Sequence, residues 1–319
     1  MSFKILVITP VTHIKNVPEV LQSIGKVTFF DDPSLGQVLE IISGYDAIYT
    51  NPNKSKVFIG RELLDKASNL KVICTASTGT NHIDVSYAKE INIPILSLTE
   101  ERSVINQISS TAELAFSLTL ASLRHVVKSH KAVLDGEWDY EKYIGRQMSS
   151  LTVGVIGYGR LGGMYAKYCN AFDAEVISYD PYEKINIHGV EQVHKLSELL
   201  HRSNVIAIHV HVNDETIGMI NKTCFDNMNS DVIIVNTSRG DIVNESDLVG
   251  FLKSNKDARI ATDVLENEIK DRENSPLLEF AKSSDQVIIT PHIGGMSLEA
   301  QEIAYGHAAN RLKNFFEGL

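Results

Sequence analysis

Residues 151–164 read LTVGVIGYGRLGGM, an apolar stretch that runs directly into spaced glycines and then into a run compatible with a helix. The glycines follow the spacing G-x-G-x-x-G. Between a strand and a helix, such glycines allow a tight turn, close approach of the backbone to a pyrophosphate, and contact of the helix with the strand. The amides at the start of the helix then face the anion. We therefore predict a dinucleotide-binding loop made of Gly157, Tyr158, Gly159, Arg160, Leu161 and Gly162.

Asp180 indicates which dinucleotide binds. It ends the next predicted strand, residues 174–180, and lies eighteen positions after Gly162. A carboxylate there accepts hydrogen bonds from the adenosine ribose and repels a 2′-phosphate. The residues that follow, Pro181, Tyr182 and Glu183, supply no arginine for such a phosphate. The sequence therefore predicts NAD rather than NADP as the cofactor.

Short runs rich in Val and Ile alternate with helical-looking stretches on both sides of this loop. This alternation is typical of parallel sheets with helices on their faces. Five runs form a first series: 4–10, 26–30, 47–50, 71–76 and 94–98. Six runs form a second series: 151–157, 174–180, 204–210, 231–238, 259–264 and 286–290. Between them, residues 102–138 have apolar residues at helical spacing, which predicts one long, buried helix at a domain hinge, at a subunit interface, or at both.

Two strand series in 319 residues predict two domains, at about 150 residues per domain. The predicted fold class is α/β, with two doubly wound parallel-sheet domains. We expect a Rossmann NAD-binding domain, residues 101–291, inserted in a flavodoxin-like substrate domain, residues 1–100 and 292–319. The last stretch, residues 297–319, looks helical and follows the final strand, so it is free to return to the first domain.

Composition excludes several other classes of protein. A hydrophobic content of 43% with 22% charged residues argues against disorder. The net charge of −10 disfavours nucleic acid and anionic membrane surfaces as partners. Apolar stretches such as 114–123 fall short of the roughly 20 residues of a membrane span, and no secretory pattern opens the chain, so we expect a cytoplasmic protein. Cys74, Cys169 and Cys224 lie far apart, and no metal site is predicted.

Polar groups follow three more strands of the second series. Ligands of doubly wound sheets bind beyond the carboxyl ends of the strands, so these groups converge on one rim. The fourth strand runs into residues 236–240, NTSRG, and the sixth into residues 291–295, PHIGG. The fifth ends at Asp263 and continues to Glu266 and Glu268.

Arg239 and His292 suit hydride transfer involving a hydroxy acid. A guanidinium fork pairs with a carboxylate in bidentate fashion. An imidazole, which titrates near pH 6.5 when unperturbed, both takes and returns a proton. Each has a simpler interpretation, in which Arg239 pairs with Asp241 and His292 caps the final helix. Their joint position beside a dinucleotide loop favours an active site.

At this point the chain resembles the D-isomer-specific 2-hydroxyacid dehydrogenase family, which includes D-3-phosphoglycerate dehydrogenases and hydroxypyruvate and glyoxylate reductases. The matching blocks occur in family order along nearly the whole chain: residues 77–84, 136–138, 157–162, 180, 236–240, 263–264 and 290–295. Since the chain ends soon after its final helix, we expect a short form without the regulatory domain of longer phosphoglycerate dehydrogenases. The resemblance also implies a homodimer.

The resemblance assigns roles residue by residue. It implies that Arg239 anchors the substrate carboxylate, that His292 is the acid/base, and that Glu268 supports His292, with Glu266 as a nearby alternative. It implies that the backbone around Ser77, Thr78 and Gly79 binds the substrate carboxylate. It also implies that four residues surround the cofactor: Thr237, Ser238, Asp263 and Gly294.

Some positions depart from the family pattern or extend it. Ile269 stands where the family usually has Pro after the catalytic Glu. His211 stands where many relatives have Pro. His209 and His211 lie on one side of a predicted strand, where they could form a pair of metal ligands. Since no third ligand stands out, contacts beside the adenine or the cofactor ribose are favoured. Lys54 and Lys56 follow the strand 47–50 and either receive a substrate phosphate or another distal anion, or belong to an ordinary solvated loop.

The sequence thus predicts an NAD-dependent oxidoreductase that interconverts a D-2-hydroxy acid, such as D-3-phosphoglycerate or a related small acid, and its 2-oxo acid. One alternative is an NAD-sensing binding protein of the corepressor type on the same fold. Another is an NAD-binding scaffold without redox activity. The expected partners are a small 2-hydroxy or 2-oxo acid and a second copy of the chain.

Overall fold

The computed structural model describes residues 3–52 and 57–319. Within these residues the strands are β1 (Phe3–Val7), β2 (Gly25–Phe29), β3 (Ala47–Thr50), β4 (Val72–Thr75), β5 (Ile95–Leu96), β6 (Thr152–Ile156), β7 (Glu175–Tyr179), β8 (Val190–Gln192), β9 (Val205–Ile208), β10 (Ile233–Asn236), β11 (Arg259–Thr262) and β12 (Val287–Ile289). The helices are α1 (Val17–Ile24), α2 (Leu35–Ile41), α3 (Arg61–Lys66), α4 (Val85–Glu90), α5 (Arg102–Ile105), α6 (Ser110–Leu123), α7 (Val126–Leu134), α8 (Arg160–Ala171), α9 (Leu196–Arg202), α10 (Lys222–Phe225), α11 (Glu245–Ser254), α12 (Glu268–Asp271), α13 (Pro276–Ala281) and α14 (Leu298–Glu317). Across these ranges, no helix is long and apolar enough to cross a membrane.

The chain divides into two compact units. The first contains the chain up to Ile108 together with Gly295–Leu319, and the second is Ser109–Gly294. The sequence placed these divisions earlier, after residues 100 and 291. The first division lies later because α5 packs against α14 and so stays with the first unit.

The first unit is built on a parallel sheet of five strands in the order β2-β1-β3-β4-β5. This order is that of flavodoxin-like folds, as expected from the sequence. Side chains alternate across β1, so Ile5 and Val7 pack in a core with α1 and α14, while Leu6 packs on the opposite face. The C-terminal helix is tied to the same sheet, because the Tyr49 hydroxyl donates to the Tyr305 carbonyl at 2.8 Å.

The second unit is built on a parallel sheet of seven strands in the order β12-β11-β10-β9-β6-β7-β8. The sequence predicted six strands and missed β8. This strand is three residues long, lies at the sheet edge and includes the polar residues Glu191 and Gln192, so it leaves no apolar run to detect. The strand order reverses between β6 and β9, which opens a ligand crevice beyond their carboxyl ends. The α/β fold class with two parallel-sheet domains is confirmed.

The single long helix predicted over residues 102–138 is wrong. The structure has three helices there, α5, α6 and α7. His125 separates the last two with a left-handed backbone, φ 53°, which no α-helix continues through. α6 is buried as expected, through residues such as Ala112 and Ala115, whereas every residue of α7 is at least partly exposed.

Candidate active site

The glycine loop connects β6 to α8 at the crevice. Gly157 has φ +89°, and a Cβ there would lie 2.8 Å from the His209 carbonyl oxygen, so only glycine fits without a rearrangement. A Cβ on Gly162 would lie 2.0 Å from the Gly157 carbonyl oxygen, which shows how closely α8 approaches the turn. The N-terminal end of α8 carries a partial positive charge and so suits an anion.

The carboxylate of Asp180 binds the backbone of the glycine loop and of the segment after β7. It accepts hydrogen bonds from the N–H groups of Tyr158 at 2.8 Å, Tyr182 at 2.9 Å and Glu183 at 3.0 Å. The two oxygens of a carboxylate have about four acceptor positions, so capacity remains for a ribose hydroxyl. The glycine loop and Asp180 therefore fit a dinucleotide.

The turn after β10 is built by Asn236. Its side chain accepts from the Ser238 N–H at 3.0 Å and donates to the Arg239 carbonyl at 2.9 Å. The Ser238 hydroxyl donates to the Ile208 carbonyl at 2.8 Å, so it holds two strand ends together. The hydroxyl of Thr237 is buried and has no hydrogen-bond partner among the described residues. Such an orphaned hydroxyl fits a polar contact with the cofactor.

The Arg239 side chain is partly buried beside this turn. Its Nη1 donates to the Ser238 carbonyl at 2.7 Å. Burial lowers the pKa of Arg239, and the charges of Glu268 and Asp241 oppose that shift, so the guanidinium stays charged at neutral pH. Asp241 uses its carboxylate instead to accept the Asn267 N–H at 3.2 Å. Arg239 can therefore form an ion pair with a substrate carboxylate.

His292 and Glu268 form a close pair. Nδ1 of His292 lies 2.6 Å from Oε1 of Glu268, and both side chains are less than one-fifth exposed, at 18% and 19%. Burial alone raises the pKa of Glu268, but the hydrogen bond and charge of His292, with smaller contributions from the Leu265 N–H and Arg239, lower it below its ordinary value. The carboxylate of Glu266 instead accepts the N–H of Glu245 at 3.2 Å. Of the two candidates, the structure brings Glu268 to His292.

The backbone of His292 is strained, and Asp263 holds it. His292 has φ 55°, a left-handed conformation that costs about 1–3 kcal/mol for such a residue. Its N–H donates to the Asp263 carbonyl at 3.0 Å, and the Asp263 carboxylate accepts from the N–H groups of Ile293 at 2.9 Å and Gly294 at 2.7 Å. Burial raises the pKa of Asp263, although these hydrogen bonds oppose the shift. Ser297, and not His292, caps α14.

The predicted substrate loop belongs to the first unit, just beyond β4. There the Ser77 hydroxyl accepts the Gly79 N–H at 3.0 Å, and the Thr99 hydroxyl donates to the Thr78 carbonyl at 2.7 Å. These contacts give the loop a defined shape. Lys54 and Lys56 lie outside the described residues.

His209 and His211 do not share one environment, because β9 ends at Ile208 and the alternation of a strand stops there. The His209 ring packs against Tyr165, with 5.1 Å between centroids, and its nitrogens are buried without partners among the described residues. Burial lowers the pKa of His209 to about 4, so it is neutral. The side chain of His211 is exposed. Within the described ranges, no cluster of three or more potential ligands suits a metal ion.

The second unit matches a known family model. The model for the D-isomer specific 2-hydroxyacid dehydrogenase, NAD binding domain, covers residues 116–294. The chain belongs to this family. The matched segment contains the glycine loop, Asp180, Arg239, Glu268 and His292, and its cofactor is NAD, as the sequence predicted.

Relatives within the family carry several names. The chain is 35% identical to a D-3-phosphoglycerate dehydrogenase of Archaeoglobus fulgidus over 89% of its own length, but it spans only about half (52%) of that relative. It is 33% identical to a hydroxypyruvate reductase of Blautia hydrogenotrophica, with 93% of this chain and 91% of the relative covered. A D-lactate dehydrogenase from Aquifex aeolicus, solved with NAD and lactic acid, has a TM-score of 0.83 at 27% identity, covering 99% and 96% of the two chains.

Proposed function

We propose that this protein is an NAD-dependent dehydrogenase that interconverts a D-2-hydroxy acid and its 2-oxo acid. This proposal rests on the pairing of His292 with Glu268. The charge of Arg239 acts on Glu268, and all three residues belong to the unit that contains the dinucleotide loop. A proton acceptor, its anionic support and a fixed cation are the groups that oxidation of a hydroxy acid requires beside a nicotinamide. Family membership agrees with this assignment.

In this proposal each residue has one task. Arg239 binds the substrate carboxylate through its planar fork. Since Nδ1 of His292 faces Glu268, Nε2 takes the hydroxyl proton during oxidation and returns it during reduction. The charged Glu268 fixes the tautomer and the orientation of the ring. NAD, when bound on the glycine loop and beside Thr237, supplies the hydride acceptor.

We infer that the substrate is a small acid of two to four carbons, because the relatives are named for D-3-phosphoglycerate, hydroxypyruvate and D-lactate. A panel containing glyoxylate, pyruvate, hydroxypyruvate, 3-phosphohydroxypyruvate and 2-oxoglutarate tests this directly, with NADH oxidation followed by absorbance. We expect turnover of at least one of the two- or three-carbon acids, and slower turnover of 2-oxoglutarate, which has five carbons. NADH binding without oxidation across the panel would contradict the proposal and favour the NAD-sensing protein or the scaffold.

Asp180 is expected to set the preference for NAD. Replacing it by Ala removes the acceptor for the ribose hydroxyls and the charge that repels a 2′-phosphate. We expect the KM for NADH to rise about tenfold or more, and the preference for NADH over NADPH to narrow, because one charge-assisted hydrogen bond is worth about 1.5–3 kcal/mol. Steady-state kinetics with both cofactors measure this. Unchanged KM values for both would refute the role of Asp180.

We also propose that a second copy of the chain covers α7 and the segment after it. Large apolar side chains are exposed there, including Leu134 at 73%, Trp138 at 90% and Ile144 at 72%. Apolar patches of this kind mark protein interfaces. We expect Trp138→Glu to shift the protein from dimer to monomer in sedimentation velocity, whereas Tyr182→Glu, at an exposed aromatic elsewhere, leaves the dimer intact. A wild-type monomer at micromolar concentration would contradict this.

A cytoplasmic location remains part of the same proposal. Cys74 and Cys169 are buried free thiols, and Cys224 is a half-buried free thiol. Free cysteines are usual in a reducing compartment.

A further inference from the structure

Glu245 is a buried carboxylate that none of the roles above uses. It stands at the start of α11, where a first-turn glutamate normally points into water, yet it is only 2% exposed. Oε1 accepts the N–H of Glu266 at 2.8 Å. Oε2 accepts the hydroxyl of Ser275 at 2.5 Å and the N–H of Leu277 at 3.3 Å.

Two of these partners, Glu266 and Ser275, are the first and last residues of one segment, residues 266–275, which we call the Glu268 loop. The loop leaves the sheet after β11, contains α12 and returns at the start of α13. One carboxylate therefore ties together the first and last residues of the loop. The N–H of Glu245 also donates to Oε2 of Glu266 at 3.2 Å, so two hydrogen bonds join Glu245 to the first residue of the loop. Glu268 follows this anchored entry by two positions.

The same loop is pressed against the turn that carries Arg239. A Cβ on Gly240 would lie 2.4 Å from the backbone nitrogen of Glu266, so the two backbones are in direct contact. The N–H of Asn267 donates to the Asp241 carboxylate at 3.2 Å. Anchoring the loop at Glu245 thus fixes the segment that carries Glu268 relative to α11 and to the turn that carries Arg239.

We propose that Glu245 is a positioning residue, which holds the Glu268 loop so that Glu268 meets Nδ1 of His292. This inference rests on the proposed function, since it gives Glu268 and His292 their catalytic use. A carboxylate is suited to the task because it only accepts hydrogen bonds and here faces three donors. A catalytic pair must be held within about 0.5 Å of its working geometry, and neighbours that lock the supporting loop provide that precision.

The test compares Glu245→Gln and Glu245→Ala with a matched control, Asp247→Asn. Asp247 lies on the same helical turn and also accepts a backbone N–H, that of Lys222 at 2.9 Å, but this bond leads to α10 and not to the Glu268 loop. We expect kcat to fall about 100-fold in Glu245→Ala, the scale of a 1 Å misplacement, and about tenfold in Glu245→Gln, which retains one acceptor. The KM for the oxo acid and the Kd for NADH should stay within about twofold.

A double-mutant cycle separates positioning from a general structural role. If Glu245 acts through Glu268, Glu245→Ala should lower kcat by no more than about threefold when Glu268 is already Gln. Hydrogen exchange should also accelerate in residues 266–277 of Glu245→Ala, and not in Asp247→Asn. Should Glu245→Ala fail to fold, Glu245→Gln in the same cycle gives the answer.

Three results overturn the inference. Full kcat in folded Glu245→Ala would do so, as would an equal loss of kcat in the wild-type and Glu268→Gln backgrounds. Unchanged exchange in the Glu268 loop would show that Glu245 does not anchor it. Absence of turnover by the wild-type protein would overturn the proposed function as well, and is recognised before any variant is made.

Discussion

Replacing His292 by Asn should reduce kcat about 1,000-fold while the KM for the oxo acid and the Kd for NADH stay within about threefold. Acid–base catalysis by a positioned side chain contributes about 10²–10⁴-fold, and the pair formed with Glu268 at 2.6 Å places His292 in that role. Asn is preferred over Ala because residue 292 has φ 55°, a conformation that Asn tolerates. His292→Ala should lose kcat equally and some stability in addition.

Stopped-flow and steady-state assays in both directions measure the loss, and fluorescence titration gives the NADH affinity. His201→Ala serves as the control, since it removes an exposed histidine of α9 in the same unit. A folded His292→Asn protein with more than one-tenth of the wild-type kcat would remove His292 from the mechanism. Loss of NADH binding in that variant would point instead to collapse of the turn held by Asp263.

The parallel sheets were largely predictable because buried strands leave apolar runs. β3 was predicted with its bounds, residues 47–50. The predicted strand 231–238 is longer than β10, Ile233–Asn236, because Asn236 turns the chain through its own hydrogen bonds and apolar character does not mark where pairing stops. β8 and the break at His125 left no apolar signal. The first depends on pairing at a sheet edge, and the second on one backbone angle.

The sequence predicted those site residues that follow directly on the end of a strand. Arg239 and His292 follow β10 and β12, so the topology alone brings them to one rim. The choice of Glu268 over Glu266 depended on how a loop of ten residues folds, which spacing does not decide. Asp263 was assigned to the cofactor surroundings, yet its carboxylate binds the turn of His292. Glu245 gave no signal, since a first-turn glutamate is normally solvated.

Replacing Arg239 by Ala should lower kcat/KM between about 10²- and 10³-fold, mainly through a higher KM for the oxo acid. Truncating one partner of a buried charge pair costs about 2–5 kcal/mol, and each factor of ten corresponds to about 1.36 kcal/mol. The Arg239 side chain is partly buried, and burial lowers its pKa, so in the free protein the cation has lost part of its hydration. A substrate carboxylate replaces the lost hydration with an ion pair, so we expect Arg239 to contribute strongly to substrate affinity.

Arg239→Lys distinguishes a fork from a charge. Lys keeps the positive charge but presents a single ammonium, so it should recover only part of the loss and leave kcat/KM about tenfold below wild type. Arg146→Ala is the control, because it removes an exposed arginine paired with Asp231 at 3.1 Å in the same unit and should change kcat/KM less than twofold. Wild-type KM in Arg239→Ala would show that another group binds the carboxylate. Equal activity of Arg239→Lys and the wild-type protein would show that charge alone suffices, and that the planar geometry of the guanidinium has no part in orienting the acid.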